Sequence, residues 1–290
     1  LVYEVVWTRF FVVVYGNTTY GVSAVLTAFM GGLGLGSYFF GRIIDRKRDY
    51  LLIYALLEIG IAVTAVAMPW ILHSLQGLYS AVYDAFPASV WVLQVVRTLL
   101  SFAILVVPTF LMGATLPVIA KFFVSRSDQV GTGIGVLYGA NTLGATVGSF
   151  LTGFLLIKVF GLTQTVYVAA IFNILLAFAF LLLRRLLGAA EGADVADQGA
   201  PSGHDAPPAA LTPARTKVLL VCFALAGFTS LAYEVLWFRL LVFELQTTIY
   251  AFTAMLTTFL IGIGMGSAVF SALQKRARGA HPYRDYFGYV

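Results

Sequence analysis

The sequence predicts an all-α membrane protein, and three observations predict it. Of the 290 residues, 60% are hydrophobic and mean hydropathy is +0.91. Charged residues make up only 11%, against roughly 25% in an average soluble domain. The apolar residues fall in runs of about 20, the length a helix needs to cross a hydrocarbon core of about 30 Å. A disordered chain requires the opposite balance, and a soluble globule of this size cannot hide so much apolar surface. The single cysteine, Cys222, excludes an internal disulfide. The net charge of +5 sits in short clusters between apolar runs, which is how basic residues orient membrane segments rather than how they form a nucleic-acid-binding face.

Taken in order, the expected spans are 1–15 (incomplete), 18–41, 50–72, 89–123, 133–157, 163–183, 217–244 and 248–271. The fourth is too long for one straight crossing. Pro108 and Pro117 within it predict a kinked or broken helix. Residues 73–88 read as a loop with an interfacial aromatic half-helix. Residues 187–216, rich in Ala, Pro and Gly and acidic until Arg215, read as a flexible linker. The expected organisation is a six-span bundle over 1–186, the linker over 187–216, and the start of a second bundle over 217–290.

Basic residues divide unevenly between the two ends of these spans. Arg42/Arg46/Lys47/Arg48, Lys121/Arg126, Arg184/Arg185, Arg215/Lys217 and Lys275/Arg276/Arg278/Arg284 fall on one side. Lys158 alone falls on the other. This bias predicts that the basic loops and the linker are cytoplasmic and that the first span runs from inside to outside. The expected location is a bacterial inner (plasma) membrane, with the lipid bilayer as the main partner.

The chain repeats itself. Residues 1–46 align with 231–276 at a constant offset of 230 without a gap, and 19 of the 46 positions are identical. Shared hydrophobicity would match Leu with Val at random; it would not keep Tyr3/Tyr233, Glu4/Glu234, Trp7/Trp237 and Arg9/Arg239 in one register. The repeat places spans one and two on spans seven and eight. Both copies then enter the membrane in the same direction, as parallel six-span repeats of the kind that relate the halves of major facilitator transporters. On this reading the chain is a bundle truncated at about eight spans, a fragment of a longer protein.

Charges inside spans are the candidate functional groups. Counted from Lys217, Glu234 lies 17 residues along, roughly 25 Å at 1.5 Å per residue. A carboxylate at that depth costs about 2.5–3.5 kcal/mol unless partnered. Glu4 and Glu234 are therefore two pseudo-equivalent candidates for a proton or cation pathway, or two acids that lock the bundle by bonding neighbouring helices. Glu58 and Arg97 are expected to pair with each other, or Arg97 with Glu4. Asn141, with Thr142, forms a polar notch in span five. Arg9 and Arg239 read as snorkelling or structural cations.

The Gly-rich runs GGLGLGS (31–37) and GIGMGS (262–267) lie deep in spans. They lack the strand and the later acid that a dinucleotide loop requires, so no cofactor is expected. Gly32/Gly36 and Gly262/Gly266 instead suit small-xxx-small helix contacts. Asp45 and Arg46 lie in the basic loop after span two, where a carboxylate can bond a helix N-terminus and arginines can anchor to lipid. His73, His204 and His281 share no ligand spacing, so no metal site is expected.

The loop from Gly41 to Arg48 resembles the G-x-x-x-D-R-x-G-R motif of major facilitator transporters, with Arg48 in place of the second glycine. Lys275 stands at the aspartate position of the second copy. Together with Tyr3-Glu4-Val5-Val6-Trp7-x-Arg9, PTFLMGATLP (108–117) and YGANTLGATVGSFLTGF (138–154), these segments resemble the membrane part of the fused major facilitator/spermidine synthase family. The resemblance implies a polyamine link, a small cationic substrate or proton as cargo, and a fused or associated cytoplasmic aminopropyltransferase domain. The chain itself shows no such catalytic domain. It is expected to be a transporter module or, alternatively, a scaffold that anchors the synthase.

Overall fold

A computed structural model describes residues 1–15, 19–44, 49–85, 90–124, 130–194 and 213–277. The described residues are helical almost throughout: α1 (Val2–Tyr15), α2 (Thr19–Ile43), α3 (Tyr50–Ala85), α4 (Val90–Val124), α5 (Val130–Leu151), α6 (Ile157–Asp194), α7 (Pro213–Leu245) and α8 (Thr248–Ala277). Lipid offers the backbone no hydrogen-bond partner, so each crossing segment must satisfy its amides internally. Six stretches are long and apolar enough to cross a membrane. One of them, Leu137–Leu187, is 51 residues long and contains a sharp reversal.

That reversal joins α5 to α6. A π-helical turn, Thr152–Leu156, follows α5 directly, and Gly161 breaks the helical backbone with φ 79°. The left-handed region is open to glycine and strained for most other residues. The sequence-predicted spans 133–157 and 163–183 meet at this point.

Three expectations about helix ends need correction. Residues 73–85 are not a loop: α3 continues to Ala85 through Pro69 and Gly77. The fourth span is not broken. Both prolines lie inside the single 35-residue helix α4, roughly 50 Å long. Pro108 leaves one amide bond unmade, and beside it Thr109 Oγ1 donates to the Leu105 carbonyl at 2.6 Å, the kind of local adjustment that lets membrane helices carry proline. The two ends of the segment expected as a linker over 187–216 are helical, since α6 runs to Asp194 and α7 starts at Pro213.

The core divides into three clusters. The largest gathers Tyr3, Trp7 and Phe11 of α1 with Phe29 of α2, Ile61 and Met68 of α3, Leu105 of α4 and Val166 of α6. A second joins Val5 and Val12 of α1 and Val22 and Leu26 of α2 to Phe238 of α7 and Phe252, Met255 and Leu256 of α8. This is the seam between the two repeat copies. There α1 packs on α8 and α2 on α7, two contacts that interchange when the copies are exchanged. The third cluster, Ile44, Leu57, Ala114 and Val118, closes the end near the basic loops. Phe172, Phe178, Leu99 and many other large apolar side chains face outward, as suits a bundle whose solvent is hydrocarbon.

Helices α2 and α4 cross with almost no space between them. A Cβ on Gly32 would collide with the Thr109 side chain, one on Gly36 with the Phe110 backbone, and one on Gly113 with the backbone of Leu33. Beside Gly262 and Gly266 on α8 there is open space instead. The close approach expected at both glycine pairs is present in the first copy and absent from the second among the described residues.

Candidate functional site

The site forms where α1 meets the second copy. Helix α1 is buried on nearly all sides, and its third to eighth residues are all enclosed. Glu4 is wholly buried, and neither of its oxygens has a hydrogen-bond partner among the described residues. Glu234 on α7 is 4% exposed, and its Oε1 is likewise without a partner. Glu234 lies one turn before Phe238, which packs in the seam. The hydroxyls of Thr8 and Thr253 and the indole nitrogen of Trp7 are also buried without partners. Buried polar groups in folded proteins are almost always hydrogen-bonded, and a buried carboxylate without a partner is costlier still. An arrangement of this kind calls for a proton, a cation or ordered water. The described residues supply no cluster of metal-binding side chains.

Glu58 is in a different situation. Asn173 of α6 donates from Nδ2 to Glu58 Oε2 at 2.6 Å, while Tyr3 donates its hydroxyl to Asn173 Oδ1 at 3.1 Å. Tyr54, one turn earlier on α3, lies on the same helix face as Glu58. The acid is held by a network joining α1, α3 and α6. Its described partners are neutral. The Arg97 side chain lies outside the described residues, as do Asp45 and Arg46. Asn141 is exposed on α5 and does not join this cluster, whereas its neighbour Thr142 is buried.

Arg9 lies five residues beyond Glu4, at the end of α1 away from the basic loops. Its Nη1 donates to Thr248 Oγ1 at 2.7 Å, bridging the two copies through the first turn of α8. Arg239, its counterpart, is exposed. Arg9 and Thr248 line a cleft of about 470 Å³ with Gly153, Ile157, Lys158, Gln246, Thr247, Ile249 and Tyr250. A separate small void is lined by Arg9 and Thr248, which also line the cleft, and by Thr8 and Val5. Thr8 is one helical turn from Glu4.

Sequence reasoning missed Asn173, Tyr54, Thr248 and Asp49. Asn173 was detectable as a lone amide in an apolar span. Asp49 accepts from the Leu52 amide at 3.2 Å, which caps α3, and its Oδ2 pairs with Arg184 of α6 at 2.6–2.7 Å. Asp49 thus plays at the start of α3 the capping role that the sequence also allows Asp45, a residue outside the described ones. The signal for it was the start of the following span.

The fold and the site together define a polytopic membrane protein with a transporter-like module. Helices α7 and α8 meet the first six helices along a seam that holds two buried acids. The chain matches the Major Facilitator Superfamily over residues 6–283, and it belongs to that family. No curated protein and no solved structure matches it.

Proposed function

We infer that this chain is the transport module of a carrier in which two copy-related acids, Glu4 and Glu234, couple cargo movement to a proton or small cation. One observation carries the reading. Glu4 is fully enclosed at the seam between the copies, yet neither oxygen has a partner among the described residues. In alternating access the two repeat units rock about such a seam, so an acid there can exchange its ligand with one side and then the other. Glu58 supplies the contrast: an acid serving only to lock helices has its bonds made, as Glu58 has with Asn173. That contrast weighs against a purely structural scaffold.

The finer reading, a polyamine cargo and a fused cytoplasmic synthase domain in an inner-membrane protein with its basic loops inside, is supported by the motif resemblance and the charge bias of the loops. It makes spermidine the first cargo to test. In proteoliposomes under an imposed pH gradient, the protein should take up labelled spermidine and move protons, as read by an internal pH dye. Glu4→Gln combined with Glu234→Gln should abolish both signals. Gradient-driven uptake that survives in the double variant would remove the coupling role. Uptake without proton movement would point to a cation instead.

A further inference from the structure

We propose that the cleft between the α5–α6 reversal and the α7–α8 turn is an oxyanion-binding site, with Arg9 and Lys158 as its cations and a phosphate or carboxylate group as its ligand. The inference stands apart from the coupling role of Glu4 and does not need it. The two basic side chains come from segments far apart in the chain and line one cleft of about 470 Å³. None of the residues lining it is acidic. Among the described residues, Arg9 has the Thr248 hydroxyl as its partner, and neither base has a carboxylate within ion-pair range.

Three further features fit the same ligand. Thr247 and Thr248 offer hydroxyls, and α8 begins at Thr248, so unbonded amides of its first turn face the same region as the cations. The π-turn at Thr152–Leu156 and the break at Gly161 bracket Lys158, and Gly153 within that turn packs so closely on Thr253 that a Cβ would collide. The short helical piece bearing Lys158 is thereby fixed against α8. Finally, Lys158 stands against the topological bias. On the predicted sidedness it is the single base among the loops of the face that the positive-inside rule keeps poor in bases, so its presence there calls for a local reason. Two cations sharing a cleft repel each other, and a shared oxyanion removes that repulsion. A guanidinium and an ammonium together suit the divergent oxygens of phosphate or carboxylate.

The same chemistry is offered by a free anion and by a phospholipid headgroup, and the test separates the two. Protein purified in a phosphate-free maltoside is titrated calorimetrically with inorganic phosphate and with succinate. In parallel, native mass spectrometry counts retained phosphatidylglycerol. Binding of either soluble anion identifies a free-anion site, and retained lipid without it identifies a headgroup site. In both cases Lys158→Gln and Arg9→Gln should weaken binding at least tenfold. Arg239→Gln, which removes an exposed cation that does not line the cleft, should change it less than about threefold and controls for the loss of a positive charge. Absence of both anion binding and retained lipid in the unaltered protein would overturn the proposal. So would wild-type binding by Lys158→Gln, an exposed side chain whose loss should not affect folding.

Discussion

The two repeat copies carry the same residues in different surroundings. Tyr3 and Trp7 are almost wholly buried, while Tyr233 and Trp237 are each 60% exposed. Gly32 and Gly36 press against α4, while Gly262 and Gly266 meet nothing. The acid is enclosed in both copies: Glu4 fully, and Glu234 to within 4%. The reason is geometric. Tyr3, Trp7 and the glycines point into the bundle of their own copy, where α3, α4 and α6 cover them. The glutamates lie along the seam where the copies meet, and each copy covers the other. The comparison separates two roles within one motif, with the aromatic and glycine positions belonging to bundle packing and the acid to the interface between copies.

The largest test of this division is at the glycines. Gly36→Leu places a side chain into the Phe110 backbone, which cannot move aside without parting α2 from α4. Overpacking of a tight core costs about 1–3 kcal/mol and sometimes more, and a backbone collision belongs at or beyond the upper end. The variant should lose its folded state or show a sharp drop in Tm in detergent, while Gly266→Leu in the same chain should leave Tm within about a degree. Equal losses at both sites would mean that α8 is packed on a face that is open here.

Next in size are the tryptophans. Trp7 stacks on Tyr3 with ring centroids 5.2 Å apart and meets Phe29 edge-on at 6.3 Å. Trp7→Ala should destabilise by about 3–5 kcal/mol, and Trp237→Ala by about 0.5 kcal/mol or less, as for a surface substitution. Chemical unfolding monitored by helix content would measure the difference. Similar losses would erase the distinction between covered and open copies.

The smallest test is at Asp49, the first-copy loop residue that caps α3 and holds Arg184. Asp49→Ala should cost about 1 kcal/mol for the cap. The ion pair adds little, because both partners are 40–46% exposed and such pairs contribute about 0–1 kcal/mol. Arg184→Gln should therefore be nearly silent in a melting experiment. If it matches Asp49→Ala in effect, the ion pair outweighs the cap.

Much of the fold was readable in the residues, and the misreadings have causes. The start of α2 and the short turn before α8 follow from apolar runs ended by polar residues. The continuation of α3 through residues 73–85 did not, because amphipathic aromatic residues look alike in a helix and in an interfacial loop. Pro108 and Pro117 predicted a break because proline removes an amide donor. Whether a helix breaks or continues depends on how its surroundings accommodate the freed carbonyl, which residue order alone does not specify. For the candidate site, Glu4, Glu234 and Glu58 stood out as charges in apolar surroundings. That pattern marks an expensive group without saying whether it has a partner, so Glu58 and Glu4 looked alike in sequence and differ in the structure.

The residue order by itself determined that the chain lies in a membrane, that it does so as helices, and that two of its segments repeat in register. These follow from local properties: the length of apolar runs, the need of the backbone to bond within itself in lipid, and identities at a fixed offset. The tertiary structure decided which face of each helix is covered, which acid is satisfied, and that Arg9 reaches Thr248 across 239 residues of chain. Partners of that kind are set by which helices lie side by side, and the energy of a buried polar group depends on the neighbour it meets, however far along the chain that neighbour lies.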